Sequence, residues 1–200
     1  MKFKTLSQDA GTMPYMTVLT GFAIHLRRWT GCESAIIGFP MVDRKNRKAR
    51  SLIGMFSYSL MLRIDFKGSP DFNEMLARVK HEMFAATENQ DMSPEHLLKI
   101  LKTEDKLDNI PKYRVVMNYL PIEIGMSLKL SDIEMTPVRT DAIRRTDLTL
   151  NFWEKGDSLY AQWQYKTDLF DPEMIAKSAD EFRILLEKIA ENPNMRIDEL

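Results

Sequence analysis

The stretch FSYSLMLRIDF, residues 56–66, alternates between apolar and polar side chains without a break. One set of alternate positions is apolar throughout and consists of Phe56, Tyr58, Leu60, Leu62, Ile64 and Phe66. The positions between them are mainly polar and consist of Ser57, Ser59, Met61, Arg63 and Asp65. Because successive side chains of a strand point to opposite faces of a sheet, this period of two predicts one long strand with a single packed face.

Other segments predict further strands. Residues 112–119, 148–152 and 159–165 alternate in the same way, and the last two are joined by residues with the composition of a hairpin turn. Residues 34–37 predict a short buried strand, and we expect Gly38 and Pro40 to end its regular structure.

The remaining segments predict helices. Residues 12–29 repeat apolar side chains at three- and four-residue spacing, which is typical of an amphipathic helix. Ser-Pro pairs at Ser69 and Ser93 predict two helix starts, and Asp171 is expected to cap a last helix that reaches about residue 190. Strands interspersed with helices predict an α/β or α+β fold, in which helices cover a mixed sheet.

Composition narrows the class of protein. The 200 residues are 44% hydrophobic and 28% charged, which favours one globular domain over residues 1–200. The net charge of −1 gives no reason to expect nucleic acid or an anionic membrane as a partner. Cys32 is the single cysteine, no apolar run approaches the ~20 residues that span a bilayer, and the first residues lack a signal segment. We therefore expect a cytoplasmic protein.

The residues by themselves assemble no catalytic or metal site. The three histidines, His25, His81 and His96, have no second histidine beside them. His25 is interpreted as a structural residue of the first helix, and the other two as surface residues. No His, Cys or carboxylate group has the spacing of a metal site, and phosphate loops and G-x-S-x-G motifs do not occur. The sequence therefore implies no catalytic residue, no metal and no cofactor.

Residues 43–50, DRKNRKAR, concentrate positive charge, with five basic side chains and one acidic. Two interpretations stay open, namely a solvated loop and a contact with a phosphate or an acidic partner domain.

Six short segments with the character of sequence motifs follow one another along the chain. They lie at residues 11–31, 37–44, 52–65, 89–97, 110–119 and 165–172. The motif positions taken as structural are Gly38, Pro40, Arg44, Gly54, Phe56, Arg63, Gln90, Asp91, Glu95, Pro111, Asp147 and Asp168. Each motif is short, but the six in this order and at these spacings resemble the C-terminal lobe of the condensation domains of nonribosomal peptide synthetases.

The sequence departs from the family at one informative point. Ser57, Tyr58 and Ser59 replace the V-N-T core of a motif that faces the substrate tunnel in the family. The resemblance thus implies that these three residues and Asn118 form part of the tunnel wall.

The resemblance also implies an architecture and partners. Condensation domains consist of two lobes of the chloramphenicol-acetyltransferase type, the CoA-dependent acyltransferase fold, which form a V around the tunnel. Peptidyl carrier proteins present thioesters on phosphopantetheine arms from its two ends. The family's H-H-x-x-x-D-G motif belongs to the other lobe or to the junction, and residues 1–200 contain no counterpart. No cofactor is then expected in this chain, and an adenylation domain and a carrier protein are its expected partners.

Three functions fit such a half-domain. The first is a truncated lobe, inactive alone, that docks on an adjacent adenylation domain; the positions of Met1 and Leu200 relative to the family's lobe agree with it, and equally with a piece cut from a full domain. The alternative is the C-terminal half of an active condensation domain, completed by an N-terminal lobe. The third is a free-standing binding protein. In a lone lobe we expect the face toward the absent lobe either to dimerise or to carry polar residues such as Ser57, Ser59 and Asn118.

Overall fold

The computed structural model describes residues 2–42, 47–90, 92, 99–100, 114–120, 128–130, 133–135, 146–156 and 158–200. Its strands are β1 Ser34–Val42, β2 Ser57–Asp65, β3 Val115–Tyr119, β4 Leu128–Leu130, β5 Ile133–Met135, β6 Leu148–Lys155 and β7 Ser158–Tyr165. Five of these strands form a mixed sheet in the order β2-β1-β3-β6-β7, while β4 and β5 pair only with each other among the described strands.

The centre of the sheet is parallel and its margins are antiparallel. β3 runs parallel to both β1 and β6, whereas β2 is antiparallel to β1 and β7 is antiparallel to β6. Parallel neighbours require crossover connections, and the connection from β1 to β3 includes the helix Phe72–Glu88, which packs on the sheet. The predicted α/β or α+β arrangement of helices over a mixed sheet is confirmed.

Four helices whose full bounds lie in the described residues accompany the sheet, and residues 99–100 are also helical. They are α1 Lys2–Asp9, α2 Pro14–Thr30, α3 Phe72–Glu88 and α4 Pro172–Glu191, and a short 3-10 helix covers Arg47–Ser51. α2 packs on β1 and contacts the three other helices, so every residue from Met16 to Leu26 is buried. The sequence prediction of α2 and α4 is confirmed, whereas α1 was not predicted.

The long strand predicted over residues 56–66 is confirmed as β2. Its apolar residues Leu60, Leu62 and Ile64 are buried against the helices. Arg63, which alternates with them, is exposed on the other face of the strand. The register that pairs Ser34 with Asp65 continues without a bulge to Val42 and Ser57.

The prediction that Gly38 and Pro40 end the first strand was wrong, because β1 continues through both to Val42. Among the described residues, the pairing of β1 with β3 covers Ile37 and Gly38, so Pro40 lies beyond it. In the antiparallel ladder with β2, alternation turns the backbone of Pro40 toward the β3 side. At this position a backbone N–H would have no acceptor within the described part of the sheet. The strand therefore tolerates proline, which has no N–H to donate.

The predicted start of α3 at Ser69 was also wrong. The N-cap is Asp71, whose carboxylate accepts a hydrogen bond from the backbone N–H of Glu74, while the Glu74 side chain accepts from the N–H of Asp71. This reciprocal pair is a capping box. Asp171 caps α4 as predicted. The helix start predicted at Ser93 lies outside the described residues.

The segment after α4 returns to the core and ties three helices together. Ile197 and Leu200 are buried, and the backbone N–H of Ile197 donates to the carbonyl of Pro70 at 3.0 Å. Asp198 accepts hydrogen bonds from Ser69 and from Arg27, which lower the pKa of its carboxyl. This segment thereby holds Ser69 in its left-handed conformation, with φ of 44°.

Candidate functional site

Three of the four predicted tunnel-wall residues share the sheet face opposite the helices. Met61, Gly38 and Val116 are cross-strand neighbours in the register of β2, β1 and β3. Ser59 lies two residues from Met61, and Asn118 lies two residues from Val116. Because side chains two residues apart in a strand point to the same side, Ser59 and Asn118 lie on the same face of the sheet. Ser57 lies on that face two residues beyond Ser59. Ser57 is exposed, and Ser59 and Asn118 are half-buried.

Tyr58, the fourth predicted wall residue, lies on the other face. Its ring packs partly buried against the core, and its hydroxyl donates to Oε1 of Gln90 at 2.7 Å. Gln90 is itself one of the predicted motif residues, so the structure joins two motifs that are far apart in sequence. Whether any of the four residues contacts a substrate remains a prediction.

A row of side-chain amides extends from Asn118 across the sheet. Asn118 Nδ2 donates to Asn151 Oδ1 at 2.8 Å, and Asn151 Nδ2 lies 3.4 Å from Gln162 Oε1. Gln164 Nε2 donates to the same oxygen of Gln162 at 3.1 Å. These residues, here named the amide row, form a connected set of hydrogen-bond donors and acceptors and include no group that exchanges a proton near neutral pH.

The other predicted motif residues are dispersed. Gly38 is buried, whereas Pro40, Gly54, Arg63 and Asp168 are exposed. A Cβ on Gly54 would lie 3.2 Å from the ring of Phe56, so the two motif positions are in close contact. Arg44, Asp91, Glu95 and Pro111 lie outside the described residues. Of the basic segment, Lys48 and Arg50 are exposed.

Asp147 connects the ends of three strands. Its carboxylate accepts hydrogen bonds from Arg114 Nε and from Lys166 Nζ, the latter at 2.9 Å. Its backbone N–H donates to the carbonyl of Arg114, and its carbonyl accepts from the N–H of Lys166. Burial alone would raise the pKa of Asp147, but the hydrogen bonds and charges of Lys166 and Arg114 outweigh it and hold that pKa below its ordinary value.

Replacing Asp147 by asparagine is expected to lower the free energy of unfolding by about 1–2 kcal/mol at pH 7, because two charge-assisted hydrogen bonds are lost. The effect is limited because the Arg114 side chain is 69% exposed. A carboxyl with a depressed pKa stabilises the fold above its unfolded pKa of ~3.9, and this contribution is lost as the pH falls through the folded value. Urea unfolding of both proteins should therefore show a difference that shrinks below about pH 4.

The control for this prediction is Asp168→Asn, which removes the same charge from an exposed carboxylate. It should change the unfolding free energy by less than about 0.5 kcal/mol. An equal loss in the two variants would show that Asp147 contributes no more than surface charge.

His25 is buried between α2 and α4. Its Nε2 lies 2.8 Å from Oγ of Ser178, and the rings of Trp29, Trp163 and Phe182 surround it with centroid distances between 5.4 and 6.1 Å. Burial, and to a smaller degree the charge of Arg28, lowers the pKa of His25 to about 4. The prediction of a structural histidine agrees with this position. His81 is exposed as predicted, and His96 lies outside the described residues.

Within the described residues, no three His, Cys, Asp or Glu side chains are grouped closely enough to hold a metal ion. The same residues include no helix that is long and apolar enough to cross a membrane.

The family model for the condensation domain matches residues 1–200. The chain belongs to the condensation domain family. A linear gramicidin synthase from Brevibacillus parabrevis is 32% identical to it over 203 residues, which are 100% of this chain and 4% of that protein. Bacitracin synthase 3 from Bacillus licheniformis is 30% identical over 200 residues, which are 100% of this chain and 3% of that protein. The chain thus spans only a small part of these curated relatives.

Solved condensation-type structures share the fold. The X-domain from teicoplanin biosynthesis superposes with a TM-score of 0.84 at 23% identity, covering 100% of this chain and 46% of that one. The four-domain nonribosomal peptide synthetase AB3403 superposes with a TM-score of 0.86 at 18% identity, covering 100% and 16%. The predicted lobe of the chloramphenicol-acetyltransferase-like fold is confirmed, and the chain corresponds to a fragment of a condensation domain.

The amide row and the full set of contacts around Asp147 were missed by sequence reasoning, which named only Asn118 and Asp147. The available signal was that Asn151 on β6, and Gln162 and Gln164 on β7, alternate with large apolar side chains.

Proposed function

We propose that this chain is the C-terminal subdomain of a condensation domain in a nonribosomal peptide synthetase, and that it forms no peptide bonds alone. The observation that carries the proposal is the family match over the whole chain together with its 46% coverage of a solved condensation-type domain. The chain contains no adjacent pair of histidines, and His25 is buried and hydrogen-bonded to Ser178. A base for the attacking amine would then come from the other lobe.

We further propose that the lobe docks on an adjacent adenylation domain and works beside a peptidyl carrier protein, which carries the phosphopantetheine arm. The likeness to the four-domain synthetase AB3403 supports a place among several domains. A complex of the X-domain with OxyB has also been solved, so a protein of this fold binds another protein. A cytoplasmic location fits these partners.

The second candidate is the C-terminal half of an active condensation domain. This candidate is favoured because the chain covers less than half of each of two solved structures of this fold. The part of the domain that the chain does not cover would then supply the H-H-x-x-x-D-G motif. In that case Ser57, Ser59 and Asn118 would line the tunnel from this side, whereas Tyr58 would act only through Gln90.

One assay distinguishes the two. Two carrier proteins loaded with aminoacyl thioesters are incubated with the 200-residue chain, with and without a separately produced N-terminal lobe, and dipeptidyl carrier protein is measured by mass spectrometry. No product in either mixture, together with measurable binding to an adenylation domain, supports the docking role. Product from the chain alone contradicts the leading proposal.

If product forms only with the N-terminal lobe, the second candidate is supported. Ser59→Trp, which fills the proposed tunnel wall, should then abolish product formation. Ser158→Trp is the matched control, because it adds the same bulk at an exposed serine of β7. Equal activity of the two variants would remove Ser59 from the tunnel.

A further inference from the structure

A cavity of about 400 Å³ opens between α2 and α4 beside His25, and it is here named the α2–α4 cavity. Besides His25, its lining consists of Arg28, Trp29, Met174, Lys177, Ser178 and Glu181. The hydrogen-bonded pair of His25 and Ser178 forms a buried floor, whereas the three charged side chains at the mouth are exposed. Small-molecule sites commonly combine such a concave surface with a few polar groups and a titratable residue of displaced pKa.

Arg28 is a cation at this mouth that has no ion-pair partner among the described residues, whereas its neighbour Arg27 pairs with Asp198. A guanidinium group presents a planar fork of donors that matches the two oxygens of a carboxylate or phosphate. Arg28 is therefore available to an oxyanion that enters the cavity from solvent.

The other charges at the mouth leave an excess of positive charge. Lys177 Nζ lies 3.9 Å from Oε1 of Glu181, and the two side chains are 77% and 53% exposed. An ion pair this long and this exposed contributes little to stability, so Lys177 can turn to another anion at small cost. Two cations face one carboxylate, and this balance favours a ligand that carries negative charge.

Two other cavities in the described part of the chain differ in this respect. In the cavity beside α1, Lys80 Nζ donates to the carbonyl of Gly11 at 3.0 Å. In the groove between β7 and α4, Arg183 Nη1 donates to Oε1 of Glu187 at 2.8 Å. The cations of those cavities already have acceptors within the protein.

An apolar wall adjoins the two cations of the α2–α4 cavity. The ring of Trp29 is half-buried between His25 and Phe170, at centroid distances of 6.1 and 5.9 Å. Met174 lies on the α4 side with 39% of its surface exposed. A ligand with an apolar part would bury it against these two side chains while its charged group stays near the mouth.

We propose that the α2–α4 cavity binds a small organic oxyanion, a carboxylate or a phosphate monoester. The charged group contacts Arg28 and Lys177, and the apolar part lies on Trp29 and Met174. The cavity belongs to the helix layer, whereas the amide row lies on the opposite face of the sheet, so this site is separate from the proposed tunnel wall. A ligand held by both helices would stabilise the packing of α4 on α2.

NMR titration of the 200-residue chain with phenylacetate and with phenyl phosphate, at constant ionic strength, tests the site. Probes of this size in an open cavity should bind with a dissociation constant of about 1–10 mM and shift the indole N–H signal of Trp29 and the ring signals of His25. The tighter of the two probes assigns the charged group. Acetate and inorganic phosphate, which lack the apolar part, should bind about fivefold more weakly.

The variant Arg28→Gln should weaken binding of the tighter probe about fivefold, because it removes the fork of donors. Arg183→Gln is the matched control, since it removes the same charge from an exposed arginine of α4 and should leave the dissociation constant unchanged. The thermal midpoint should rise with the probe in the wild type and in Arg183→Gln, and much less in Arg28→Gln.

Three results would overturn the site. The first is the absence of any saturable shift at Trp29 and His25 up to about 50 mM of either probe, well above the expected dissociation constant. The second is equal affinity of Arg28→Gln and Arg183→Gln for the probe. The third is binding of benzyl alcohol, which carries no charge, as tightly as phenylacetate, because the cavity would then select only for apolar surface.

Discussion

Replacing Phe22 by alanine is expected to lower the free energy of unfolding by about 4 kcal/mol, the largest effect of any single substitution considered for this chain. The Phe22 ring is fully buried on α2, and its centroid lies 5.7 Å from those of Trp163 on β7 and Phe182 on α4 in edge-to-face arrangements. Alanine leaves a cavity at the junction of three elements, and these aromatic contacts are lost in addition to the buried area.

Urea unfolding followed by fluorescence and by circular dichroism measures this change. Phe84→Ala is the matched control, since Phe84 lies on α3 with 55% of its surface exposed. We expect a loss below about 1 kcal/mol for that variant. A small loss for Phe22→Ala would mean that α2 and α4 close around the cavity, and the packing between them would then be far more adaptable than the structure indicates.

The second large effect is a loss of stability in mild acid that depends on His25. The folded-state pKa is about 4, whereas an unfolded histidine titrates near 6.5. Between these values the unfolded chain binds more protons than the folded one, so stability rises with pH across this window. At 1.36 kcal/mol per pKa unit, the difference amounts to about 3 kcal/mol, lost progressively from about pH 6.5 down to about pH 4.

The surroundings of His25 offer little compensation for a proton. Arg28 on the same helix and Lys177 on α4 are cationic, and Glu181 is the acidic residue that lines the same cavity. His25→Gln, whose amide reaches the position of Nε2 and retains a partner for Ser178, should flatten the dependence on pH over this range. His81→Gln alters an exposed histidine and should leave the dependence unchanged. An identical pH profile for the wild type and His25→Gln would contradict the assignment.

The spacing of apolar residues was sufficient to predict a helix or strand where one period continued through the whole element. The alternation of residues 56–66 defined β2 to within one residue at each end, and the spacing of apolar residues defined α2 and α4. The same reasoning failed where contacts with other parts of the chain set the end of a strand or the start of a helix. Proline has no backbone N–H, so Pro40 would end the strand only where a neighbouring strand required that donor, and the described pairing of β3 with β1 stops at Gly38. The start of α3 was misplaced because Ser69-Pro70 resembles a cap, although Asp71 and Glu74 have the spacing of a capping box.

The site was less predictable than the fold. Alternation correctly placed Ser57 and Ser59 on one face, yet the family resemblance grouped Tyr58 with them although it points to the other face. Contacts such as the one between Tyr58 and Gln90 join residues 32 positions apart, and no local rule specifies them. Likewise Asp147 was identified, but its partners Arg114 and Lys166 follow only from the strand order.

The contact between His25 and Ser178 has a consequence for synthesis of the protein, because the two residues are 153 positions apart. α2 is enclosed only when α4 packs on it, so the core cannot close until the last helix has emerged from the ribosome. At about 5–20 residues per second, the interval between these two residues is roughly 8–30 s. During that time the part of α2 that packs on α4 stays uncovered, and the lobe completes its core late in its own translation.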